Sequence, residues 1–333
     1  MRESTFIDRN FKRWEEIEND LKTDPDEISS DFIDLMNDLS YAQTHYPHSK
    51  ISQYVNSLSS RVYKKIFLHQ KQNKNPFYHF WVKDFPAILG HHSRILWLSA
   101  AIFFTFCLLG YVCSFIDTGF IEGILGSDYV RMTEANIKKG EPFGVYNSAQ
   151  PLNMFMSIFA NNLRVGLMVF ITGILLGTGS FYLTFTNGIM IGAFFSLFIQ
   201  NNLGTDAIFV IMLHGTFELM GLVLECMAGL ILGLSFLFPG TLTRKQAFRK
   251  GLSESVKIYI GTIPFTTIAA LIESYVTYLG KQGFETTNIF VLLFLSLVFI
   301  GSWLFVIWYF FIYSKKLTEK YPYEQYLEAI IHK

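Results

Sequence analysis

Hydrophobic positions along the chain follow two regimes, short amphipathic periods first and long apolar runs later. Phe11, Trp14, Ile17 and Leu21 recur at steps of three and four, with Lys12, Arg13, Glu15 and Glu16 on the other side. That period predicts an amphipathic helix. It returns through Ile28, Phe32, Leu35, Met36 and Leu39, and again through Ile51, Tyr54, Val55, Leu58, Val62 and Ile66. These runs predict a helical module of three or four helices ending near Arg94. Beyond it the pattern changes. Crossing the ~30 Å hydrocarbon core takes about 20 mostly apolar residues. Residues 95–116, 163–186, 207–238, 258–279 and 288–313 are long enough, whereas 187–203 is shorter and opens on Asn187-Gly188, a turn signal.

Positive charge settles how that short run is read. Basic residues gather before the first span (Lys83, Arg94), between the fourth and fifth (Arg244, Lys245, Arg249, Lys250) and after the last (Lys315, Lys316, Lys320). Placing all three groups on the cytoplasmic side requires 187–203 to cross. The expectation is an all-α, polytopic membrane helix bundle of six transmembrane helices (95–116, 163–186, 187–203, 207–238, 258–279, 288–313). It includes a cytoplasmic helical module (1–94), an external segment (117–150), a cytoplasmic tail (314–333) and both termini inside. The external stretch is long for a structureless loop, so it is expected to fold over the outer face of the bundle.

Composition agrees. Hydrophobic residues make up 51% of the chain and charged residues 16%, against roughly 25% charged in soluble proteins. The first 94 residues hold 26 charges and the following 239 only 28, so a soluble front precedes a charge-poor remainder. A net charge of zero offers no footprint for nucleic acid. Three cysteines, all in apolar runs, make neither a disulfide framework nor a CxxC pair. His91-His92 invites a metal reading, but adjacent residues diverge on a helix, which favours a surface or interface role.

Ionisable residues inside spans are functional-site candidates by default. His214, Glu218 and Glu225 lie at 0°, 40° and 20° on one helix face. Glu273 falls in the next span at a similar depth to His214, and Asn161, Asn162 and Arg164 are expected at the outer mouth of the second span, where they could join the cluster. Three uses fit: a structural network, a proton or ion relay, or a metal site on His214, Glu218 and Glu273. A single intramembrane histidine supports zinc weakly. No hydrolase, phosphate-loop or zincin motif is present, and no cofactor is implied. Gly173 and Gly177, Gly188 and Gly192, and Gly229 and Gly233 form small-xxx-small pairs, which suit packing within one bundle or a homodimer seam.

The segments NNLRVGLMVFITGILLGTGSFYLTFTNGIMIGAFF (161–195), LHGTFELMGLVLECMAGLILG (213–233) and IAALIESYVT (268–277) resemble the stage II sporulation protein M family. In that family an Asn-Asn pair, a Gly-rich helix, an Asn-Gly turn, an HGxxEL motif and a late Ile-Glu recur in this order. By this resemblance Asn161, Asn162, Asn187, Gly188, His214, Gly215, Glu218 and Glu273 fall on motif positions. At the position of Glu225 the family usually carries a small residue. The front resembles that of longer, non-sporulation members. In spore formers the family member serves the engulfment machinery beside a peptidoglycan hydrolase and a lytic transglycosylase. The resemblance implies a non-enzymatic protein of the bacterial inner membrane, a scaffold or accessory component for envelope partners. An ion-coupled transporter using the polar cluster is the alternative, and an intramembrane metalloenzyme a third.

Overall fold

The computed structural model describes residues 2–19, 25–71, 75–117, 119–143, 150–277 and 289–320, and among them every regular element is helical. The expected tail beyond residue 320 and part of the external segment, 144–149, lie outside the described residues. The chain divides into two units, Met1–His79 and Phe80–Lys333.

The first unit contains α1 (Glu3–Asn19), α2 (Pro25–His45), α3 (Lys50–Lys71) and the short α4 (Pro76–His79). Its core is Phe6, Trp14, Ile17, Ile28, Leu35, Leu39, Val55, Leu58 and Val62. Trp14 is fully enclosed, and its indole Nε1 donates to Asp38 Oδ2 at 2.8 Å. Arg13 pairs with the same carboxylate. This anchor sets the rotation of α1. Phe6 and Ile17 turn inward beside Trp14, while Phe11, expected on the inner face, is 49% exposed. Met36 of α2 is likewise exposed.

The second unit comprises α5 (Phe85–His91), α6 (Ser93–Ile116), α7 (Phe120–Leu125), α8 (Ser127–Lys138), α9 (Pro151–Ile171), α10 (Thr178–Gln200), α11 (Gly204–Leu237), α12 (Arg244–Leu271), α13 (Ile289–Val306) and α14 (Ser314–Lys320). A 3₁₀ turn, Thr172–Ile174, extends α9. A π-helical turn, Ile272–Val276, extends α12, and another, Ile307–Tyr313, joins α13 to α14. Six of these helices are long and apolar enough to cross a membrane. The chain is a multi-pass membrane protein with an all-α bundle. α11 is its axis, buried continuously from Met220 to Gly233, as expected of a helix that is apolar all round. On α13, by contrast, Phe290 and Leu297 are more than 70% exposed, a surface that suits lipid.

The second and third spans are not where the apolar runs place them. α9 begins at Pro151, the reversal falls at 172–177, and Asn187-Gly188 lies inside α10. Gly177 makes the turn, with φ +84°, a conformation costly for any side chain. Asn187 is no turn residue because its amide Nδ2 donates to the Leu183 carbonyl at 2.7 Å within the helix. Gly188 and Gly192 instead bring α10 against α6: a Cβ on Gly192 would stand 2.0 Å from the Cys107 carbonyl oxygen. Gly173, Gly177, Gly229 and Gly233 likewise meet one another between the α9–α10 turn and α11. The small-residue pairs are therefore filled from within the chain.

The expected boundary at Arg94 also moves. Phe85, Ile88 and Leu89 are fully buried, in the same core as Phe265 and Phe310. A π-helical turn, Phe80–Asp84, precedes them. Its loosened carbonyls find donors in α13's extension: Tyr309 Oη donates to Trp81 O at 2.6 Å, and Tyr313 Oη to Val82 O at 2.7 Å. Residues 80–91 are thus an apolar wedge of the membrane bundle, too short to span it. Lys83, Asp84 and His91 within this wedge, and His92 just after it, give its sequence a soluble look.

Candidate functional site at one end of the bundle

α11 carries His214 and Glu218 one turn apart, so both side chains leave the same face. The π-helical turn at the end of α12 supplies Glu273. Such turns insert a residue into the helical register and recur at functional sites. One ligand atom each from His214, Glu218 and Glu273 lies within 4.8 Å of the others. His214 Nε2 stands 3.9 Å from Glu273 Oε1. On the other edge of the ring, Nδ1 lies 3.1 Å from Thr277 Oγ1, and the Thr277 hydroxyl donates to Ile272 O at 3.2 Å. His214 is buried, and the side chain of Glu273 is 16% exposed.

Asn162 of α9 stands beside Glu218. Its Nδ2 is enclosed and makes no hydrogen bond of good geometry. Its neighbours on α9 point elsewhere. Arg164, two residues on, is turned by 200° and is exposed on the outside of the helix, as is Asn161, whose amide reaches only Asn162 Oδ1 at 3.4 Å. The expectation that Arg164 joins the cluster fails for this reason. Because α9 starts at Pro151, Arg164 also sits in mid-helix and not at its outer mouth.

The three ionisable groups face a cavity of about 650 Å³. α9 and α10 wall it through Asn153, Ser157 and Phe194, and the segment between α6 and α9 covers it through Tyr129, Thr133 and Phe143. α7 and α8 hold that cover in place by packing Ile121 and Val130 against Leu197 near the end of α10. Glu225 lies outside the cavity, deeper along α11. Its carboxylate accepts from Thr262 Oγ1 at 3.4 Å and rests on Gly166, whose missing side chain makes its room. At the other end of α11 a second cavity, about 340 Å³, is lined by His92, Lys250 and Glu254. There His92 Nε2 meets Glu254 Oε2 at 3.0 Å, so the second histidine of the His91-His92 pair takes the interface role and bridges helices.

Residues 99–278 match the profile of the stage II sporulation protein M family, more than half of the chain. The chain belongs to that family. The match takes in His214, Glu218, Glu225 and Glu273, together with all the walls of the 650 Å³ cavity, and leaves out the wedge 80–91 and α13. Residues 4–67, most of the first unit, match a domain of unknown function (DUF8413). No curated protein and no solved structure matches the chain.

Within this family fold the sequence reading found His214, Glu218 and Glu273 but missed their support. Thr277 follows Glu273 by four residues, and that spacing was the available signal. Tyr129 and Phe143 carried none, because nothing in the external segment announces which helix end it covers.

Proposed function

We propose that this family member admits a small cation or cationic solute from the outer side of the bacterial inner membrane into the 650 Å³ cavity, and passes it toward the opposite cavity. The observation that carries this reading is the convergence of His214, Glu218 and Glu273 on the cavity, with the guanidinium of Arg164 turned away from them. Two carboxylates at the floor of a mostly apolar chamber demand a positive partner, since unpaired charge in low dielectric is costly. Two cavities at opposite ends of one central helix, with Glu225 between, suit access from alternate sides. The basic residues beside α6, α12 and α14 support cytoplasmic placement of the chain ends.

The second reading is a non-enzymatic scaffold for envelope partners, working alone or as a homodimer. It draws support from the closed middle of α11, buried from Met220 to Gly233. A flux experiment separates the two. The full chain, reconstituted into lipid vesicles, is expected to raise potential-driven uptake of at least one cation from a panel of K⁺, Mg²⁺, Zn²⁺ and a small organic ammonium. Glu218→Gln combined with Glu225→Gln should return uptake to the protein-free level. If wild type moves no cation, transport is wrong and the scaffold reading takes its place.

A further inference from the structure

We infer that His214, Glu218 and Glu273 form a site for one divalent cation of the zinc class. This rests on the cation-accepting reading above and narrows the ligand to a metal ion. The first argument is the orientation of the imidazole. Thr277 Oγ1 lies 3.1 Å from His214 Nδ1 and 3.2 Å from Ile272 O, so with its proton on Ile272 O it accepts from Nδ1. That leaves Nε2 with a lone pair, directed toward Glu273 Oε1. A ligating histidine is characteristically held in this way, its second nitrogen donating to a fixed oxygen while the first faces the metal.

The second argument is distance. At 3.9 Å, Nε2 and Oε1 are too far apart for a hydrogen bond, yet suitably placed to share an ion. Zinc bonds of ~2.0–2.2 Å place tetrahedral ligand atoms ~3.3–3.6 Å apart, so the three groups need to draw in by about an ångström. Carboxylate rotation supplies that. The third argument is the enclosed Nδ2 of Asn162, which lies beside the Glu218 carboxylate and is placed to hold one of its oxygens while the other binds metal. One nitrogen and two carboxylate donors form a hard-to-borderline set, with no thiolate to select a soft ion. The cavity leaves room for water or a second ligand in the remaining coordination position.

The test uses the full chain purified in detergent, stripped with a chelator and titrated with ZnCl₂, with Co²⁺ absorption reporting coordination. One Zn²⁺ per chain is expected. His214→Ala, Glu218→Gln and Glu273→Gln should each weaken binding at least 10-fold, and Thr277→Val by 10- to 100-fold, as for lost support of a ligating imidazole. His48→Ala, on the first unit, should leave binding unchanged. Thermal unfolding of each apo variant checks that it is folded. Absence of stoichiometric Zn²⁺, or binding indifferent to the three ligand substitutions, overturns the inference. Zinc binding without flux would remove the transport reading and leave the metal site standing. Flux of another cation without zinc binding would do the reverse.

Discussion

Single atoms decide how closely these helices approach. Ser180 Oγ donates to Val169 O at 2.6 Å, and a Cβ on Gly229 would fall 1.9 Å from that hydroxyl. Gly229→Val must therefore push α11 from the α9–α10 turn, at about 1–3 kcal/mol of overpacking strain. Thermal unfolding in detergent should show the loss, while Gly301→Val, with open space around its Cβ position, should change little. A second residue-scale prediction concerns acid. Tyr54 Oη donates to Glu18 at 2.6 Å and Arg61 Nη2 at 2.5 Å, holding the Glu18 carboxyl below its ordinary value of about 4.5. Burial first, and then Glu18, push Tyr54 up to about 12. A lowered carboxyl stabilises the fold above its unfolded pKa and loses that contribution as pH falls through the folded value. Hydrogen-exchange protection across α1 and α3 of the full chain, referred to the intrinsic exchange rate at each pH, should fall below about pH 4.5, and Glu18→Gln should flatten that response.

Among the elements, the departures from regular α-helix hold most of the information. Two π-helical turns, 80–84 and 307–313, face each other through the hydroxyls of Tyr309 and Tyr313. Removing either hydroxyl leaves an enclosed carbonyl without its donor, a cost of about 1–3 kcal/mol. Tyr309→Phe and Tyr313→Phe are each expected to lower the unfolding temperature measured in detergent, with the double variant no worse than their sum. Such turns were not legible in the sequence, because a π turn has no composition of its own. The six spans were legible, since twenty apolar residues have few other uses. Their limits were not. Asn187-Gly188 has the letters of a reversal but spends them on an in-helix hydrogen bond and a close crossing with α6. The true reversal at 172–177 hides in an apolar stretch that reads as span. That error carried Arg164 with it, from mid-helix to an imagined outer mouth.

For the whole molecule, sequence placed His214 and Glu218 on one face of one helix, and the register of α12 brought Glu273 to meet them. What it could not supply was the cover from the external segment or the wedge 80–91. That wedge has a consequence for how the protein is made. Trp81 and its donor Tyr309 lie 228 residues apart in the chain, so at ~5–20 residues per second the ribosome takes roughly 10–50 s to deliver the second after the first. Through that interval the wedge has no finished seat. It must stay parked at the bilayer surface or with a chaperone while α6 to α12 insert ahead of it, and the bundle seals only when the final span leaves the translocon.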